Sequence, residues 1–273
     1  MQFLYKFEAM STPCELLLFE KHKHKADEVA QQVLKEVKRL EKKYNYFDPA
    51  SYLGALNRRE VSQLDTETFS LLQRALLYYS KTNHIFDITI GTIKDIYKIS
   101  KSIESLEKEK ARLLPYVGCE HIRLKKKKLY FDNAYTKIDL GGFVKEYAVD
   151  RAALLLKKRQ VLSGLINFGG DIFAVGRKPN GEKFKIGIKD PHDPKTFNCF
   201  IEIENEALTT SASYERHQYI EEKKFSHIIA KTEAEKVAHS VSVISSNCVE
   251  SGVFSTALMA DPTIFTEHRV ILL

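Results

Sequence analysis

The order in which strand-like and helix-like patterns follow one another constrains this chain most, because they come in blocks. Two strand-like stretches over Phe3–Phe19, around a turn at Ser11-Thr12-Pro13, precede a run of helical patterns. Ala26–Tyr44 carries Val29, Val33, Val37, Leu40 and Tyr44, a 4-4-3-4 spacing that lays one apolar stripe along a helix. Thr66 to about Thr82 repeats the pattern with Phe69, Leu72, Leu76 and Tyr79, and a short charged helix, Ile103–Leu114, stops at Pro115. From Cys119 the texture turns to strands, interrupted by a helix with Tyr147, Val149, Ala152, Leu155 and Leu156. LINFGGDIFAVG and KFKIGI read as paired strands, as do FNCFIEIE, ALTTSA, FSHIIA and HSVSVIS, and a last helix covers about Val249–Met259. Strict alternation of strand and helix would build a doubly wound parallel sheet. Blocks predict an α+β fold instead, with antiparallel sheets flanked by helices. No linker or internal repeat divides the sequence, so residues 1–273 are expected to form a single domain.

Composition removes several classes of function. A chain of 273 residues can bury a full core without disulfides or structural metal. Its formal charge of +6 is small for a dedicated nucleic-acid binder, and no nucleic-acid partner is expected. The dense basic run Lys125–Lys128 lies between HIRL and LYF and reads as a solvated hairpin turn. Cys14, Cys119, Cys199 and Cys248 are scattered without a C-x-x-C pair, so they read as reduced, mostly buried thiols rather than zinc ligands. Nowhere do 18 uncharged apolar residues follow one another, so no transmembrane segment is expected. Lys6 and Glu8 interrupt any signal-peptide core. The expectation is a cytoplasmic protein as the sequence stands, or a periplasmic one if it is a trimmed mature form.

Five short segments carry chemistry beyond packing. Phe86–Gly91 offers the hydrogen-bonding groups of Asp87 and Thr89 beside a glycine, a pattern shared with ordinary turns. Asp139-Leu140-Gly141-Gly142 runs into a helix with Lys145 in its first turn, exposing backbone N–H groups suited to an anion. That segment has neither the dinucleotide-binding glycine fingerprint nor the P-loop pattern. Asn167-Phe168-Gly169-Gly170-Asp171 sits at a strand end, where paired glycines admit a bulge or a closely approaching ligand. Thr209-Thr210-Ser211 and Tyr214-Glu215-Arg216 come ahead of Ser226-His227-Ile228-Ile229, whose lone histidine would ordinarily be structural. Ser255-Thr256-Ala257-Leu258 closes the set in the last helix, where hydroxyls usually bond back to their own backbone.

Taken in order, these segments resemble the ApbE family, the FAD:protein FMN transferases. Ala9-Met10-Ser11-Thr12 is similar to the family's opening Ala-Met-Gly-Thr, and Phe47-Asp48-Pro49-Ala50-Ser51 through Leu56-Asn57 to its Phe-x-Pro-x-Ser loop. Phe86–Gly91 matches Phe-Asp-x-Thr-x-Gly, and Asn167–Asp171 matches Asn-x-Gly-Gly-Asp. Asp139–Asp150 follows Asp-Leu-Gly-Gly-x-x-Lys-Gly-Tyr-Ala-x-Asp, except that Glu146 replaces the glycine after the lysine. Ala207–Ser211 with Tyr214–Arg216, then Ser240–Ile244 and Ser255–Leu258, resemble the closing blocks. Three departures stand out. Where the family has an Asp four residues before the metal-binding Thr, this chain has Gly252 before Thr256. Ala230 and the charged Lys231–Lys236 replace an Asp-Pro and a Thr-Gly turn, and Ala212-Ser213 replaces Gly-Asp.

The resemblance implies transfer of FMN from FAD to a Ser or Thr hydroxyl of a separate acceptor flavoprotein, with release of AMP. It implies a flavin site lined by Met10, Phe47, Asp87, Ile88, Thr89, Asp139, Lys145 and His227, with His227 as the catalytic residue. It also implies Mg²⁺ held by the Val144 carbonyl and Thr256, a site left incomplete by Gly252. Glu250 could replace the missing carboxylate only if the last helix began late, since it lies two residues before Gly252, well round the helix. The family's target motif, Asp-x-x-[Ser/Thr]-Gly-Ala-Thr, does not occur in the chain, so it is not expected to flavinylate itself. The missing carboxylate keeps two alternatives open: a non-catalytic FAD-binding accessory protein, and an FAD pyrophosphatase on the same fold.

Overall fold

The computed structural model describes residues 1–193, 195–212, 217–221, 223–226 and 238–273. It opens with a hairpin of β1 (Gln2–Ala9) and β2 (Thr12–Phe19), in full antiparallel register from Gln2↔Phe19 to Ala9↔Thr12. The turn is therefore Met10-Ser11, not Ser11-Thr12-Pro13 as the sequence suggests. Both residues have positive φ, 53° and 56°, the geometry of a tight two-residue hairpin, and Pro13 falls inside the strand.

The helical block follows. Helix α1 (Lys23–Tyr44) buries the expected stripe of Val29, Val33, Val37, Leu40 and Tyr44. Short α2 (Tyr52–Asn57) is capped by Ser51, whose side chain accepts from the Gly54 amide at 2.9 Å. Asp65 caps α3 (Thr66–Lys81) in the same way, accepting from the Thr68 amide at 2.8 Å. Two single-turn helices, α4 (Gly91–Lys94) and α5 (Ile96–Ile99), precede α6 (Ile103–Leu113). Such short pieces carry no sequence periodicity, and none of α2, α4 or α5 is legible beforehand. The lysine run forms the expected hairpin: β3 (Ile122–Lys125) pairs with β4 (Lys128–Phe131), and Lys126 and Lys127 turn with positive φ.

Helix α7 (Val144–Lys158) leads into β5 (Gly164–Phe168) and β6 (Asp171–Val175), joined by the turn Gly169-Gly170. Here glycine is required: φ is 63° and 95°, and a Cβ on Gly169 would lie 2.0 Å from Thr12 Oγ1. Then come β7 (Phe184–Lys189), β8 (Phe197–Ile203), β9 (Ala207–Ala212), β10 (His217–Ile220), β11 (Lys223–Ser226), β12 (Ser240–Ser245), α8 (Cys248–Ala260) and β13 (Arg269–Leu272).

The main sheet is seven-stranded and antiparallel, in the order β1-β2-β5-β6-β9-β12-β13. This is the expected α+β architecture. KFKIGI does not join that sheet. As β7 it pairs with β8, and the hairpin lays Phe184, Ile186, Ile188 and Ile203 over Ile172, Ala174, Leu208 and Ile244. The main core, formed with α1, α7 and α8, draws residues from Ala9 through Ile264. Strands β6 and β12 are consequently buried along their whole length. Cys14, Cys119 and Cys248 are buried and Cys199 is half-buried, and none of the four is in a disulfide. No helix among the described residues is long and apolar enough to cross a membrane.

Candidate active site

The distant motifs come together in two neighbourhoods, linked by the segment that leads from Asp139 into the first turn of α7. In the first, Phe86–Gly91 packs against residues 137–139. The Asp139 amide donates to the Ile88 carbonyl at 2.7 Å, and a Cβ on Gly91 would lie 2.8 Å from the Lys137 carbonyl oxygen. Close approach of two backbones thus explains that glycine. Asp87 Oδ1 accepts from the Thr89 amide at 2.8 Å and hydroxyl at 2.6 Å, and Thr89 Oγ1 accepts from the Gly118 amide at 2.7 Å. Ile88 and Thr89 have almost no exposed surface, so in this structure their side chains hold the loop in shape.

The loop sets Lys94 against Asp139, with which it forms an ion pair, while Asp139 Oδ1 accepts from the Gly141 amide at 2.9 Å. Lys94 Nζ lies 4.9 Å and Lys98 Nζ 3.4 Å from the centre of the Phe47 ring. Phe47 is 54% exposed, and Gly141 and Gly142 are exposed beside it. An accessible aromatic face, two ammonium groups and an open glycine turn therefore share one edge. Phe47 and Asp139 were legible in the sequence. Lys94 and Lys98 were not: four residues apart, they resemble solvated lysines until the fold brings a ring from 47 beneath them.

The second neighbourhood lies at the other side of that turn. Lys145 forms an ion pair with buried Asp171, the last residue of the Asn167–Asp171 motif. Burial lowers the affinity of Lys145 for its proton, but Asp171 and then Glu146 outweigh it, so the ammonium is held charged. Met10, at the hairpin tip, is half-buried and donates its amide to Glu41. Ser211 bridges to the last helix, 2.8 Å from Ser255 Oγ and 3.3 Å from Thr256 Oγ1. Helix α8 begins at Cys248, so it does not begin late. Glu250 sits in its first turn, where Oε2 accepts from Asn247 Nδ2 at 3.1 Å and Oε1 lies 3.5 Å from His268 Nε2. It is directed away from a ligand face shared by Gly252 and Thr256.

Sequence reasoning missed what occupies the space over Gly252. A Cβ there would lie 2.6 Å from Glu146 Cγ and 3.3 Å from Glu146 Oε1. The Glu146 side chain is buried, and its Oε2 has no hydrogen-bond partner. Burial pushes this carboxyl up to about 7, Asp171 adds to the rise, and Lys145 opposes it. The signal was present as two separate departures from one pattern, Glu146 and Gly252, but nothing in the chain shows that they touch. His227, Tyr214–Arg216 and Ala230–Lys236 lie outside the described residues. Among the described residues, no group of three or more His, Cys, Asp or Glu side chains stands ready to hold a metal.

Residues 10–264, which contain all of these motifs but the Ala9 that opens the first, match the ApbE family model. This chain belongs to the ApbE family. Among its ApbE relatives is the FAD:protein FMN transferase of Buchnera aphidicola, 27% identical over 242 residues that cover 84% of this chain and 71% of that protein. The fold of this ApbE-family chain is similar to the crystal structure of the ApbE protein of Thermotoga maritima, with a TM-score of 0.86 at 24% identity, covering 95% of this chain and 87% of that one. The flavin transferase ApbE of Vibrio cholerae gives 0.83 at 19% identity, covering 100% and 93%.

Proposed function

We propose that this ApbE-family chain is an FAD:protein FMN transferase. The observation that carries the reading is the exposed Phe47 ring beneath Lys94 and Lys98, beside the Gly141-Gly142 turn. An exposed aromatic ring suits a stacked ring, and ammonium groups beside an exposed glycine turn suit a pyrophosphate, which together describe a dinucleotide. Asp139, fixed by Lys94 and Gly141, and Lys145, held charged by Asp171, bracket the turn from either side. Met10, Asp87, Ile88 and Thr89 complete the proposed flavin site, the last three through the shape of their loop.

In the reaction, an acceptor Ser or Thr oxygen forms a bond to the FMN phosphorus. The pyrophosphate oxygen bridge breaks, AMP leaves with the bond's electron pair, and the hydroxyl proton passes to a base. His227 is the proposed residue for that proton. The Val144 carbonyl and Thr256 hydroxyl are the proposed ligands of a divalent cation, and an orphaned carboxylate oxygen nearby fits such an ion. When bound, the cation would neutralise charge developing on the pyrophosphate oxygens. Lys145 contributes a fixed positive charge at the same turn, and Ser211 orients the Thr256 hydroxyl.

The test incubates the purified chain with FAD, Mg²⁺ and a peptide carrying Asp-x-x-Ser-Gly-Ala-Thr. Covalent flavin fluorescence on the peptide, with AMP released in equal amount, is the expected result. AMP and FMN without labelled peptide would make water the acceptor and the chain a pyrophosphatase. FAD binding without any AMP would favour the accessory-protein reading.

A further inference from the structure

Gly252 and Glu146 are not independent departures from the family's pattern. One removes a side chain from α8, and the other places one into the same space from α7. The Glu146 chain crosses the Gly252 backbone so closely that a Cβ at 252 would overlap Glu146 Cγ at 2.6 Å, with Cδ at 3.2 Å and Oε1 at 3.3 Å. The Glu146 side chain therefore stands where a Cβ on residue 252 would be, with its carboxyl group alongside. Thr256 lies one helical turn further along the same face of α8.

Filling space does not explain a carboxylate there. A buried carboxyl oxygen without a partner costs stability, and an apolar side chain of that length would fill the gap without the cost. Glu146 Oε2 has no hydrogen-bond partner, and its residue is only 6% exposed. Lys145 does not repair this: its ammonium is committed to Asp171 and stands 3.9 Å from Glu146 Oε1. An orphaned carboxyl oxygen one helical turn from a hydroxyl-bearing residue is what a missing hard cation would leave behind.

We propose that Glu146 is the metal-binding carboxylate of this chain, moved from α8 to the first turn of α7, with Gly252 as the change that makes room for it. The inference rests on the transfer reading for the identity of the ion, a hard divalent cation. It differs from that reading in assigning the carboxylate, which the sequence pattern leaves empty. It also implies that restoring the missing Asp alone would not rebuild the site, because Glu146 already fills it.

The test is direct binding of Mn²⁺, followed by electron paramagnetic resonance with and without FAD, in the full chain. Glu146→Gln keeps the shape and removes the charge, and is expected to weaken Mn²⁺ binding by about tenfold or more. The double variant Glu146→Gly with Gly252→Asp returns the carboxylate to α8 and is expected to bind within a fewfold of the unaltered chain. Gly252→Asp alone is expected to bind no better than the unaltered chain. The proposal is overturned if Glu146→Gln binds Mn²⁺ as the unaltered chain does, or if the unaltered chain binds none with or without FAD. Because the readout is metal occupancy, loss of binding in Glu146→Gln would stand even if no flavin were transferred. Conversely, flavin transfer with an unaltered metal affinity in that variant would sink this inference and leave the functional reading intact.

Discussion

At the scale of single residues, the contact between Glu146 and Gly252 reverses an ordinary rule. Replacing glycine by alanine within a helix normally gains up to about 1 kcal/mol, because glycine is the more costly residue to order. At position 252 the new methyl would meet Glu146 Cγ at 2.6 Å, part of the stem of a buried side chain rather than its free tip. Gly252→Ala is therefore expected to lose about 1–3 kcal/mol by overpacking. In a Glu146→Ala background the same change is expected to be neutral or stabilising, giving a coupling above about 1 kcal/mol. Urea denaturation of the four proteins measures it, and additive effects would show that the two residues do not share the space. The residue scale is also where the sequence was least legible. Asp139, Lys145 and Phe47 stood out by motif, but Lys94, Lys98 and Glu146 draw their meaning from neighbours 45 or more residues away, such as Asp139 for Lys94.

At the scale of elements, α7 and α8 are joined through a cap supplied from outside the helix that needs it. Asp150, midway along α7, accepts from the Cys248 amide at 2.6 Å and the Val249 amide at 3.2 Å, the first N–H groups of α8. Asn247 supplies the local cap, accepting from the Glu250 amide at 3.0 Å. Burial nevertheless outweighs those amide bonds and pushes the Asp150 carboxyl up from 3.8 to about 6. The folded chain thus holds a proton at pH values where the unfolded chain has released it. The stability due to that proton is complete below the unfolded value and declines as pH rises through about 6, by about 3 kcal/mol at most. Asp150→Asn keeps an acceptor for the cap and cannot ionise. Its stability relative to the unaltered chain is expected to improve between about pH 4 and pH 7, and a constant difference across that range would contradict the assignment. Helices of three turns or more were legible as elements because periodicity marks them: α1 buries its whole expected stripe, while α3 buries Leu72 and Tyr79 with Phe69 and Leu76 half-buried, and α7 buries Val149, Ala152 and Leu156 with Tyr147 and Leu155 half-buried. Capping of one helix by another was not, because Asp150 and Cys248 are 98 residues apart.

At the scale of the whole molecule, the sheet is covered twice, by helices on one face and by the β7–β8 hairpin on the other. Phe184 is 2% exposed beneath the hairpin and Phe200 is 52% exposed on it. Phe184→Ala is expected to cost about 3–5 kcal/mol, and Phe200→Ala no more than about 0.5 kcal/mol. Equal losses in chemical denaturation would mean that the hairpin is not the second cover of the core. Block order alone led to the α+β class, since only antiparallel pairing suits strands that follow one another without helical crossovers. LINFGGDIFAVG and HSVSVIS read as strands, but both faces of β6 and β12 are buried because the hairpin covers them, which no local pattern records. The sequence by itself determined the classes of the long elements, the turn chemistry of the lysine run and the ordered motifs that mark the ApbE family. Those signals are local, set by side-chain periodicity and backbone preference over a few residues. Only the tertiary structure decided which strands pair, what lies over Phe47, and that Glu146 fills the space above Gly252. The reason is physical: such contacts depend on how buried backbones approach one another, and on which side chain reaches a shared volume when two helices pack.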